Sequence, residues 1–302
     1  MPAAPPTFEQ LKVFITVVEE GGFSAAARRL NRRQSVISYT ISNLEDQLGG
    51  VPLFDRTTRR PTLTDAGRAV LANARTIAAG MDQLCARING LQSGLEAEIA
   101  LVVDVMMPMQ LLVGSLADFH ANFPAVGLRL HVETLGGVAT RVLDGTCTIG
   151  ISGPLFYAVD GLDQCCIGST SLIPVAAPSH SLAQSVDAIP SAMARKHTQL
   201  VLADRSRLSE GRDFAVLAAD TWRVSDLSVK HALLLAGVGW GNMPAAAVDD
   251  DIRAGRLVPL PLAEWRKRPY PLYAVHRAQK VPGPAACWLI KRISQEAALI
   301  QP

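Results

Sequence analysis

The chain has 302 residues, of which 49% are apolar and 19% charged, with a formal net charge of +2. That length holds two or three domains and a sizeable core, and the near balance of charge excludes a tail-driven, strongly basic nucleic-acid binder. No run of 18 apolar residues occurs, so no membrane span is expected.

The start, Met1-Pro2-Ala3-Ala4-Pro5-Pro6, has neither the basic nor the apolar region of a secretory signal. Five cysteines (Cys85, Cys147, Cys165, Cys166 and Cys287) show no CxxC or zinc spacing. They read as free thiols in a reducing cytoplasm. The adjacent Cys165 and Cys166 read as strand-edge thiols, with an oxidant-sensing pair as the alternative.

In chain order, Thr7 and Gln10 form a capping box. Leu11, Phe14, Ile15 and Val18 follow at helical spacing until Gly21-Gly22. Ser24 is placed to cap a second, short helix, whose Ala26, Ala27 and Leu30 share one face. A third helix begins near Gln34 or Ser35. Val36, Ile37, Ile41, Leu44 and Leu48 make its apolar stripe. Ser35, Ser38, Tyr39, Ser42 and Asn43 make a face that is polar but uncharged, as suits a helix laid on base edges.

Residues 24–60 hold seven arginines against three acids, a local charge of +4. Basic flanks around a polar centre suit phosphate clamping. The run from Phe54 to Thr64, with Arg56, Arg59 and Arg60, reads as a basic hairpin. Helices and hairpin together predict a winged helix-turn-helix that reads duplex DNA; a solvated amphipathic hairpin is the competing reading. The candidate DNA contacts are Ser24, Arg32, Arg33, Gln34, Ser35, Ser38, Tyr39, Ser42, Arg56, Arg59 and Arg60.

Thr64 then caps a long helix reaching about Leu91, with Asp65 favourably placed at its positive end. Ala69, Val70, Ile77, Met81, Leu84 and Ile88 leave it apolar on more than one side. Such a helix calls for a partner, most simply a second copy; burial within its own domain is the alternative. Gln92-Ser93-Gly94 reads as a hinge.

From Glu98 strands alternate with helices. Strands are expected at 99–103, 128–133, 148–151, 171–176, 200–202, 222–224 and 272–275. Helices are expected at 109–119, 138–143, 210–218, 228–236, 244–253 and 285–298. The order predicts mostly parallel sheets with helices on both faces. Ligands then sit beyond the carboxyl ends of strands. This singles out Asp104, Val105, Met106 and Met107, Gly136, Ser152 and Gly153, Asp204, Arg205 and Ser206, and Ser225 and Asp226. The histidines lack ligand spacing. With no Gly-x-Ser-x-Gly elbow and no phosphate loop, no catalytic residue, metal or cofactor is expected. An α/β enzyme or a solute-binding module without a DNA role is the alternative.

Residues 8–67 resemble the N-terminal domain of the LysR-type transcriptional regulators. The matching run is Leu11-x-x-Phe14, Gly22-Phe23-Ser24-x-Ala26-Ala27-x-x-Leu30, and Gln34-Ser35-x-Ile37-Ser38-x-x-Ile41-x-x-Leu44-Glu45-x-x-Leu48-Gly49. Leu53-Phe54-x-Arg56 and Leu63-Thr64-x-x-Gly67 complete it. The chain departs from that family at Arg33, usually a capping Thr, and at Tyr39, often Arg. The remainder resembles the family's regulatory domain through Phe119-x-x-x-Phe123-Pro124, Leu143-x-Gly145, Gly153-Pro154-Leu155, His180-Ser181-Leu182-Ala183, Ala236-Gly237-Val238-Gly239 with Pro244, and Gly255-x-Leu257-Val258.

The resemblance implies a DNA-binding domain over 1–63, a dimerising linker helix over 64–92, and a two-lobed domain over 97–302 like a periplasmic solute-binding protein. Lobe I takes 97–167 plus 272–302, and lobe II takes 168–271. It implies double-stranded DNA and a small-molecule effector as partners, and a homodimer that pairs into a homotetramer. The effector would sit between the lobes and change the shape of the assembly and transcription. By register, Asp104 replaces a Ser or Thr that the family often turns on acidic effectors, and Met106 replaces a Thr. An effector bearing an amine or several hydroxyls, or an aromatic one packed on Met106 and Met107, is therefore expected. The alternative is that Asp104 caps a helix or pairs with Arg205. Thr148 replaces an acidic residue usual at that place.

Overall fold

The computed structural model describes residues 4–55, 61–155, 159–185, 187–204, 206, 208, 215–263 and 268–299. Two compact units result, Met1–Asn89 and Gly90–Pro302.

In the first unit, α1 (Phe8–Glu19) starts on the expected capping box: the Thr7 hydroxyl accepts from the Gln10 amide, and the Gln10 side chain accepts from the Thr7 amide. α2 (Phe23–Arg29) ends in a turn closed by Asn31, whose φ is 51°. The Asn31 and Arg32 amides bond back to Arg28 and Ala27. That pair of bonds is a Schellman stop, and asparagine is among the few residues that tolerate its left-handed position. α3 (Gln34–Gln47) follows at once. Phe14, Ile37, Ile41, Leu44 and Leu53 form the centre of this unit's core, and Phe54 meets Phe14 and Phe23 edge-on at 5.4 and 5.3 Å.

Two expectations fail here. Ser24 does not cap α2, which begins one residue earlier with Gly22 as its cap. Val36 is 41% exposed, because the buried stripe of α3 needs only Ile37, Ile41 and Leu44.

β1 (Phe54–Asp55) and β2 (Thr62–Leu63) pair antiparallel, with Phe54 opposite Leu63. The hairpin tip, with Arg56, Arg59 and Arg60, lies outside the described residues. α4 (Asp65–Gln92) starts on Thr64, whose hydroxyl accepts from the Gly67 amide and donates to the Pro52 carbonyl. A Cβ on Gly67 would lie 2.1 Å from the Leu53 carbonyl oxygen, so glycine alone lets the helix start so close to the wing. Further along, Ile77, Met81, Leu84, Ile88 and Leu91 are exposed, at alternating spacings of four and three.

Among the described residues the second unit forms one nine-stranded sheet with helices on both sides. β3 (Glu98–Asp104) pairs in parallel with β4 (Gly127–Glu133) and β5 (Ile149–Ser152), the connections being α5 (Met109–Asn122) and α6 (Gly136–Leu143). A long β6 (Leu162–Ala176) then leads to α7 (Ser191–Ala194), β7 (Gln199–Leu202), β8 (Thr221–Val224), α8 (Leu227–Leu235), β9 (Trp240–Pro244), α9 (Ala245–Arg253) and β10 (Val258–Pro259). β11 (Arg268–Arg277) returns antiparallel along β6, and α10 (Pro284–Leu299) closes the unit.

The strand order is β4-β3-β5-β11-β6-β9-β7-β8, with β10 beside β6. The sheet is thus mixed rather than mostly parallel, because β6 and β11 run through both halves and pair antiparallel with β9 and β5. Residues 215–218 are irregular, not helical as expected. Each half has its own packing. Ile99, Leu101 and Ile149 meet Phe119 and Leu289 on one side, while Trp240 and Leu200 anchor two clusters on the other.

Candidate functional site

The described candidates for DNA contact lie on α3 and just before it. The Ser24 hydroxyl donates to the Gln34 side-chain oxygen at 2.9 Å, tying α2 to the first residue of α3. Arg33 occupies the cap position without a side-chain cap bond, so the departure noted in sequence leaves that role empty. Ser35, Tyr39 and Ser42 are exposed on the following turns, Tyr39 by 68%, and Ser38 is half-buried beside them. Arg32 reaches back to Glu9 at 2.9 Å. Both members of that pair are largely exposed, so it is a weak tether that a phosphate can displace. The result is a fixed helix with a face of hydroxyls and an amide, and cations at its entrance.

The second site is a cavity of about 440 Å³ in the second unit. Asp104, Val105 and Met106 line it from the end of β3, Leu200 to Leu202 from β7, Lys230 from α8, Asn242 from β9, and Pro269 to Pro271 from β11. Both halves of the sheet and a crossing strand therefore contribute. Its size is that of an ordinary small-molecule pocket.

Asp104 is 1% exposed. Its oxygens accept from the Met106 amide at 2.8 Å and the Leu135 amide at 3.1 Å. Burial pushes its carboxyl up to about 6, opposed by those amides and by the Tyr270 hydroxyl beside it. It does not cap α5, which begins at Met109 behind Pro108; it closes a local turn and holds the entrance to α6. Asp204 accepts from the Gly136 amide at 2.9 Å and from the Ser206 amide at 2.8 Å. The Thr134 hydroxyl donates to the Ala203 carbonyl at 3.1 Å. Between them Leu135 is forced to φ 42° and ψ −114°, a strained conformation for a side chain with a Cβ. Free amides at a helix start attract anions. Here the chain's own two carboxylates already hold them.

Lys230 was not singled out by sequence. It is 2% exposed, its ammonium donates to the Asn242 carbonyl at 2.7 Å, and burial pushes its pKa down to about 7. The one available signal was a lone cation within the apolar run of α8.

The other candidates separate. Met107 is 5% exposed and belongs to the core, not the cavity wall. Ser152 is buried with its hydroxyl on the Gly153 carbonyl. Gly153 presses on Tyr270, whose hydroxyl would lie 1.9 Å from a Cβ there. Ser225 is exposed, and Asp226 caps α8 through the Val229 amide at 3.0 Å; neither lines the cavity. Arg205, and with it any pairing to Asp104, lies outside the described residues. Thr148 bonds its hydroxyl to the Ala100 carbonyl at 3.0 Å, fixing the start of β5. Among the described residues no helix is long and apolar enough to cross a membrane.

A helix-turn-helix with a wing, followed by a long helix and a two-halved sheet holding a ligand-sized cavity, defines a DNA-binding regulator that answers to a small molecule. Residues 8–68 match the family model "Bacterial regulatory helix-turn-helix protein, lysR family", and residues 92–298 match the LysR substrate binding domain. The chain is 31% identical over 254 residues to the HTH-type transcriptional activator AllS of Klebsiella pneumoniae, covering 83% of this chain and 93% of that protein. It is 30% identical over 255 residues to the HTH-type transcriptional regulator YhaJ of Escherichia coli, covering 83% and 84%. Its fold is similar to that of a Corynebacterium glutamicum OxyR mutant bound to H2O2, with a TM-score of 0.54 at 21% identity over 98% of this chain and 97% of that one. The chain belongs to the LysR-type family of bacterial transcriptional regulators. It is a ligand-responsive DNA-binding protein and not an enzyme.

Proposed function

We propose that α3 enters the major groove and reads base edges with Gln34, Ser35, Ser38, Tyr39 and Ser42, while Ser24, Arg32, Arg33, Arg56, Arg59 and Arg60 hold phosphates. The observation that carries this is the uncharged, exposed face of α3, fixed at its start by the Ser24–Gln34 bond.

In this reading residues 1–63 are the reading domain, 64–92 the linker, and 97–302 the effector domain in its two lobes. The apolar stripe of α4 pairs two copies, so that their reading helices meet half-sites about one helical turn apart. Two such dimers make the tetramer, which works in the cytoplasm. An effector in the cavity favours one arrangement of the assembly and so changes transcription.

The test is fluorescence anisotropy of the full chain on genomic fragments across a salt series. A specific reader keeps its preference for one promoter while affinity falls steeply with salt. Equal affinity for every fragment sinks the reading of α3. A cavity-filling variant, Met106→Trp, is expected to lose the effector's influence on DNA binding while still binding DNA. If Met106→Trp answers the effector as the parent does, the effector sits elsewhere.

A further inference from the structure

We propose that the effector of this protein is not the amine or polyol expected from Asp104 alone but an organic monoanion whose carboxylate pairs with Lys230, with its uncharged end toward Asp104 and Tyr270. The proposal rests on the cavity being the effector site and adds the chemistry of what it holds.

Lys230 is 2% exposed and lines the cavity. Among the described residues its ammonium has one acceptor, the Asn242 carbonyl. Among the described residues no carboxylate pairs with it, and its depressed pKa has burial as the sole cause. A buried cation without a counter-ion is costly, and a well-packed apolar side chain would fill the space more cheaply. An arriving carboxylate supplies the missing charge.

The helix-start amides give no competing anion site. The Leu135 amide donates to Asp104 and the Gly136 amide to Asp204. A ligand carboxylate placed there would also face Asp104. Lys230 stands on α8 instead, against β9. The cavity thus has a cation on one element and, on β3 and β11, Asp104 with the Tyr270 hydroxyl beside it. That second place prefers a donor, such as a hydroxyl. The wall between is apolar, with Met106, Leu172 and Leu200 among it. A flat ring with an acid at one end and a hydroxyl at the other satisfies all three regions.

The experiment is isothermal titration of the full chain with three near-isosteric probes: 4-hydroxyphenylacetate, 4-hydroxyphenylacetamide and tyramine. The acid is expected to bind at least tenfold more tightly than the amide or the amine. Lys230→Gln keeps a donor for the Asn242 carbonyl and removes the charge; Lys230→Met removes both. Each is expected to weaken the acid at least tenfold and to leave the amide unchanged, with the DNA affinity of the empty protein as the check on folding.

If the amide or tyramine binds as well as the acid, or if both variants keep the acid's affinity, the assignment to Lys230 is overturned and the cavity remains the effector site. If none of the three probes binds, the monoanion class is overturned, and Met106→Trp tested with whole metabolite extract judges the cavity separately.

Discussion

Replacing Lys230 with methionine should make the regulatory unit more stable at neutral pH. An ordinary lysine pKa of 10.5 falls to about 7 in the fold because the ammonium is taken out of water. Unfolding therefore takes up a proton between those two values, so this residue's burden on stability is greatest below pH 7 and fades as pH rises toward 10.5. The shift corresponds to about 4 kcal/mol at pH 7 and under about 1 kcal/mol at pH 10. Methionine also removes the hydrogen bond to the Asn242 carbonyl, which costs about 1–2 kcal/mol. The net expectation is about 2–3 kcal/mol of added stability at pH 7, vanishing or reversing by pH 10. All four tryptophans, Trp222, Trp240, Trp265 and Trp288, lie in the second unit, so urea unfolding followed by tryptophan fluorescence reports that unit alone. A variant less stable than the parent at pH 7, or a stability difference that ignores pH, refutes the reasoning.

Asp104 titrates in the opposite sense. Its carboxyl is raised from 3.8 to about 6 by burial, so the extra stability of its protonated form is present below about pH 4 and lost as pH rises through 6, about 3 kcal/mol in all. Asp104→Asn should flatten that part of the stability–pH curve in the same fluorescence assay. Leu84→Glu, at a position 54% exposed, should leave helix content by circular dichroism intact while sedimentation velocity shows a monomer; an unchanged oligomer would rule out pairing through this stripe. Ser38→Ala and Tyr39→Ala should alter which sequence is preferred, whereas Arg33→Ala should weaken all duplexes alike and lower the salt slope by about 1. Uniform, unselective loss from all three would undo the division between reading and clamping residues.

The reading unit was legible because its signals are local. The Thr7 capping box, the α3 stripe at Ile37, Ile41 and Leu44, and the Thr64 cap each depend on neighbours within four residues. Ser24 was misplaced since a hydroxyl at a helix start serves a cap or a cross-helix bond equally well, and only the approach of Gln34 decides. The long strands β6 and β11 were seen only in their apolar parts. Asp163 to Cys166 form no apolar run, and they are held in strand by the distant partners Tyr273 to His276. The cavity was harder still. Asp104 was found by register, yet its meaning turned on the Leu135 amide 31 residues away. Nothing in the run around Lys230 marks it, because its burial is a property of β9 and α8 packed together.

The exposed side chains on α4 recur every three and a half positions, from Ile77 through Met81, Leu84 and Ile88 to Leu91. An undistorted helix turns once in 3.6 residues, so such a seam slips about 20° sideways in each heptad. Over the two heptads here, straight rods lying side by side would part at one end. Two copies that keep contact along the whole seam must coil about each other with a left-handed sense. The handedness of any such pairing is therefore written in the intervals between five side chains.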